Sequence, residues 1–252
     1  LVKTSRVRID SVSQEPSGTY INPLTGLAEL LHDRPPYILR ATVDVNGPNP
    51  HPVVVVVNHL RSFIDVELEG GEGLRVRAKR KAQAESLAQL LQDLQAELPS
   101  KAVVSLGDYN AYQFNDGYSD PIATIVGAPR SDDEVVVDAS PDLVSPNYIN
   151  LTDSLPTAQQ YSFVFEGTPQ ALDHILVNTV GNGFVQRYAI ARGNADFPEG
   201  ALETDSSRPE RASDHDMPVA FLRFPDVTPP TIDSIADITA PATQPGGAIV
   251  TF

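Results

Sequence analysis

VVSLGDYNAY, residues 103–112, is a short apolar strand that runs directly into an aspartate, a tyrosine and an asparagine. A carboxylate and a carboxamide two residues apart are costly to bury without partners. Both residue types hydrogen-bond nearby backbone, so Asp108 and Asn110 either close a turn or face a cleft and handle a substrate. Three other stretches also place polar residues at a strand end: VVVVVNHLRS (53–62), ALDHILVN (171–178) and ASDHDMPVAF (212–221). Each has an ordinary explanation by itself. Asn58 and His59 can close a turn, Asp173–His174 can sit on an edge strand, and Asp214–His215–Asp216 can cap the entry to a strand before Pro218. Four such ends in one chain point instead to loops on a rigid scaffold that line a shared cleft.

The elements around these ends follow from periodicity. Residues 2–12 alternate loosely and read as a strand, and residues 13–36, with several prolines and glycines, read as a long loop. Residues 37–45 alternate with a period of two, and after the turn NGPNPHP the β-branched run 53–58 has the pattern of a strand covered on both faces. Ala84, Leu87, Leu91, Leu94 and Leu98 recur at helical spacing, predicting a helix from Arg75 to Leu98 that Pro99 stops. A second helix is expected within 118–127, and strands over 161–166, 171–178, 183–191 and 218–224. Strands, a covering helix and long loops together predict an α/β sandwich of sheets with helices outside.

Composition narrows the function. Hydrophobic residues make up 41% of the 252, enough for a packed core, and VVVVV at 53–57 is far too short to cross a membrane. No apolar stretch follows the basic opening LVKTSRVRID, so no signal peptide is expected. The absence of cysteine excludes disulfides, thiolate metal sites and a thiol nucleophile. A net charge of −15 argues against a broad electrostatic grip on nucleic acid. Arg75, Arg77, Lys79, Arg80 and Lys81 are the local exception, either a solvated helix face or a phosphate contact near a helix start.

The ordered set NHL, GDYNAY, LDHIL and SDHDMPVA resembles the second half of the endonuclease/exonuclease/phosphatase superfamily, most closely its large secreted bacterial nucleases. The resemblance covers residues 1–224 and implies a two-sheet α/β sandwich of the deoxyribonuclease-like type. It also implies a metal-dependent phosphodiester hydrolase cleaving DNA or RNA outside the cell or at its surface. Phosphodiester hydrolysis needs a base for water, stabilised phosphoryl oxygens and an acid for the leaving alkoxide. Carried over by motif, His215 acts as base, held by Asp173, while His59 hydrogen-bonds the phosphate or serves as general acid. Asp108 and Asn110 orient water and phosphate, and Asp108 and Asp214 help bind a divalent cation. An oxygen-rich site of this kind suits Mg²⁺, Mn²⁺ or Ca²⁺. Asn58, Arg61, Arg77 and Lys79 are assigned to the substrate.

One part of the family pattern has no counterpart. The family's early strand carries a glutamate that is a principal metal ligand and that precedes the strand LVKTSRV resembles. Gln14–Glu15 follows that strand and adjoins Pro16, so Glu15 is read as a loop residue. The N-terminal half of the domain is therefore expected to be missing, and the chain to be catalytically deficient by itself. Residues 225–252 are similar to the opening of a hyalin-type repeat, an immunoglobulin-like β module. Two alternatives stand beside the nuclease: a phosphatase or sphingomyelinase-like phosphodiesterase of the same fold, and a non-catalytic binding or adhesion module.

Overall fold

The computed structural model describes residues 2–44, 47, 49–198, 200, 205–225, 241 and 245. In chain order the strands and helices are β1 (Val7–Gln14), β2 (Thr19–Ile21), β3 (Ala28–Leu30), β4 (Tyr37–Val43), β5 (His51–His59), α1 (Gly71–Glu97), β6 (Ala102–Asp108) and α2 (Pro121–Val126). There follow β7 (Ile149–Asn150), β8 (Phe163–Phe165), β9 (Thr168–Gln170), β10 (Asp173–Val177), α3 (Thr179–Asn182), β11 (Val185–Ile190) and β12 (Pro218–Leu222).

A six-stranded sheet in the order β1-β4-β5-β6-β10-β7 forms the frame. Its one parallel pair, β5 with β6, is joined through α1, because a parallel connection needs a long crossover. The pleat sends alternate residues to opposite faces. Val54, Val56, Val103 and Leu176 face the helices and pack on Leu87, Leu91 and Ile125. Val53, Ala102, Val104, Ile175 and Val177 face the other way, onto Tyr188 and Ile190 of the two-stranded β11–β12 sheet. The result is a mixed α/β fold with a multistrand sheet, helices on one face and a second, smaller sheet on the other. The β-branched run is covered on both sides over residues 53–56, and Val57 at its end is exposed.

Two sequence expectations change. The segment 13–36 contains the β2–β3 hairpin, with Thr19 paired to Leu30 and Ile21 to Ala28. Strands of three residues are too short for alternation to register. Helix α1 starts at Gly71, four residues before the first cation of the 75–81 cluster, so that cluster lies beyond the first turn. Glycines at 70, 71 and 73 had hidden that turn from a propensity argument. Except for Pro225, Pro241 and Pro245, the hyalin-like segment lies outside the described residues.

Candidate active site

Register brings the four motifs to one place. In the parallel pair His59 stands opposite Asp108, and in the neighbouring antiparallel pair Asp108 stands opposite Asp173. By pleat parity all three share the sheet face that carries β11–β12. Gly107 makes the close approach possible: its φ is +139°, and a Cβ there would collide with the Asn58 carbonyl oxygen. Beyond it the chain turns on Asn110, whose φ of 47° suits asparagine better than most residues. Asp108 Oδ1 accepts the Asn110 backbone N–H at 2.8 Å, and Asn110 Nδ2 donates to Asp108 Oδ2 at 3.1 Å and to the Leu60 carbonyl at 3.0 Å.

His215 arrives from the segment before β12. Its Nδ1 lies 2.6 Å from Asp173 Oδ2, and a carboxylate can only accept, so Nδ1 carries the proton. Asp173 is fixed in turn by Ser162, whose hydroxyl donates to Oδ2 at 2.7 Å while accepting the backbone N–H groups of Leu172 and Asp173. Asp216, buried one residue after His215, accepts the N–H groups of Gly193 and Asn194, and its own N–H donates to the Ser162 carbonyl. These bonds anchor the SDHD segment against the Asp173 strand. Burial lowers the affinity of His215 for a proton, but the hydrogen bond and charge of Asp173, with Asp108 and Asp214 behind it, outweigh this and raise its pKa. Burial raises the pKa of Asp108, and the charge of Asp173 adds to that effect.

His59 completes the row, with Nε2 3.5 Å from Asp108 Oδ2. One Arg34 guanidinium nitrogen lies 2.5 Å from its Nε2 and 3.0 Å from its Nδ1; Arg34 lies in the region read as loop, where nothing in the sequence marked it. Arg34, Arg61, His59 and Asn110 line a common cleft of about 300 Å³. A larger cavity of about 660 Å³ opens on the other side of Asn110 and includes Asp214 and His215.

The row His59, Asp108, Asn110, Asp173 and His215 is thus brought together, with Arg61 at its margin. Asp214 is exposed on the rim of the larger cavity and is not among the closely gathered ligand atoms, which come from Asp108, Asp173 and His215 and lie within 4.8 Å of one another. Asn58 is corrected: one residue before His59, it points to the opposite face and is buried, bonded to Ser105 Oγ and the Leu106 carbonyl. Arg77 and Lys79 are corrected as well. Both are buried, Arg77 on the carbonyls of Val66 and Leu68 and Lys79 on Asp33, so they hold the α1 flank rather than present a substrate surface. Glu15 lines a separate cleft with Ser86 and Asp93. The gathered carboxylates fit a hard divalent cation, since two like charges in a half-buried position are relieved by a positive ion.

No protein-family profile matches the sequence, and no curated protein does. Among solved structures the chain is similar to an endonuclease/exonuclease/phosphatase from Bacteroides vulgatus (13% identity, TM-score 0.47, 87% of this chain and 67% of that one). It is also similar to the human Nocturnin catalytic domain with bound sulfate anion (13%, 0.44, 86% and 61%). A third is D. rerio TDP2 complexed with single strand DNA product (13%, 0.45, 85% and 68%). The chain spans between about three fifths and two thirds of the length of these structures.

Proposed function

We propose that this protein is a divalent-cation-dependent phosphodiesterase acting on nucleic acid. The observation that carries the proposal is the His215–Asp173 pair, 2.6 Å apart and next to Asp108, with His59 on the far side of that carboxylate. With Nδ1 engaged by Asp173, Nε2 is the ring nitrogen left to accept a proton. A water at Nε2 gives up that proton as its oxygen attacks phosphorus and the bond to the leaving alcohol oxygen breaks. His59 stands where a donor to the leaving oxygen or to the phosphoryl group is needed. Arg34 and Arg61 supply positive charge for the phosphate on that side. Asp108 and Asp173 would hold the cation, which when bound stabilises charge on the phosphoryl oxygens. A location outside the cell belongs to the same proposal and rests on the sequence resemblance.

The test is hydrolysis of DNA and RNA strands by the full chain at high enzyme concentration, with magnesium and after exhaustive chelation. Cleavage that stops on chelation and falls by about a hundredfold or more in His215→Ala supports the assignment. Cleavage indifferent to chelator, or equal in His215→Ala, rules the mechanism out.

A further inference from the structure

The larger cavity beside His215 differs chemically from the cleft beside His59, although Ser62 and Asn110 line both. Two runs of aromatic rings meet it. In one, Phe63 and Tyr112 lie with ring centres 4.6 Å apart. In the other, Phe165 stacks on Phe163 at 6.5 Å, and Phe163 lies 4.7 Å from the His215 ring. The second run therefore leads from the cavity to the proposed base. Asp65, Glu67 and Asp214 also line it, and among the described residues no lysine or arginine does. Asp116, the remaining acid there, is already paired with Arg80 and with three backbone N–H groups.

Such a cavity repels a second phosphate. Its volume of about 660 Å³ lies in the ordinary range for small-molecule sites of about 300–1,000 Å³. Planar groups stack on its rings, and its carboxylates accept hydrogen bonds from amino groups. We infer that this cavity is a subsite for one unpaired nucleobase bearing an exocyclic amine, seated next to the phosphodiester while the backbone follows the Arg34–Arg61 side. The inference rests on the phosphodiesterase assignment and adds substrate selection to it. Adenine, cytosine and guanine carry the amine, and thymine does not. A base in the cavity has left its stack, so single strands and strand ends are preferred over continuous duplex.

The experiment uses the full chain and a single-stranded oligonucleotide carrying one 2-aminopurine between abasic neighbours, so that no adjacent base quenches its fluorescence before binding and stacking on the rings does. Quenching is expected on binding, and Phe165→Ala should weaken it about tenfold in apparent affinity, within the range for one base on one aromatic ring. Phe163→Ala provides a second variant should the first fail to fold. Unlabelled deoxycytidine strands should displace the probe about fivefold better than thymidine strands. No quenching, quenching unchanged in both variants, or equal displacement by the two strands overturns the inference. Hydrolysis measured in parallel separates the two claims: quenching with no cleavage under any metal condition would sink the phosphodiesterase assignment while leaving the subsite standing.

Discussion

Replacing Arg80 with methionine should test whether the loops that carry the site are held from below. Arg80 is buried, its side chain 1% exposed, and its guanidinium donates to the carbonyls of Arg61 and Asn110 at 2.7 Å each. It also lies 3.4 Å from Asp116, whose side chain is 3% exposed, and sits over the Phe63 ring. Methionine fills much of the volume but leaves Asp116 as a buried charge without its partner, a loss of about 3–5 kcal/mol. For a domain of this size each kcal/mol lowers Tm by about 2–4 °C, so a fall of roughly 6–20 °C is expected in thermal unfolding followed by circular dichroism. Adding Asp116→Asn should restore part of it, because the amide keeps an oxygen for the backbone N–H groups of Tyr118, Ser119 and Asp120 without the stranded charge. A drop of under about 2 °C in Arg80→Met, or no recovery in the double variant, would refute the clamp.

Asp173→Asn should lower the pKa of His215, read from its ring proton resonances, because the native hydrogen bond and charge of Asp173 raise it. The acid limb of any hydrolytic activity should then move to lower pH; a His215 titration that stays put would remove Asp173 as the cause. His32 is buried against Ser86, and burial, with Lys79 nearby, lowers its pKa below the ordinary 6.5. The folded state thus binds fewer protons than the unfolded one, so stability is full above about pH 6.5 and falls as pH drops towards the depressed value. Denaturant midpoints of His32→Asn should vary less with pH between about 7 and 5 than those of the native chain; parallel curves would show that His32 is not the group responsible.

How much of this was legible in the sequence depended on how each residue is held. His59 and Asp108 closed apolar strands and Asp173 opened one, and the strand period placed polar side chains at those ends. Register then put the three side by side, a step no local pattern contains, because Asp108 pairs with residues about fifty and sixty-five positions away. Asn58 shows the limit of a motif. Carried with His59 as one unit, it was assigned to substrate, yet a period of two sends adjacent residues to opposite faces, and the same rule that located His59 places Asn58 beneath the helices. The cations failed for a different reason. Arg77, Lys79 and Arg80 looked like a charged face because arginine and lysine are seldom buried, but each found a carbonyl or carboxylate inside the fold. Their burial leaves the positive charge beside the site to Arg61, which the sequence had marked, and Arg34, which it had not. The anion-facing side, with Arg34 and Arg61, and the aromatic, acidic side meet at Ser62 and Asn110, which line both, and that division is the basis for expecting phosphate on one side and a base on the other.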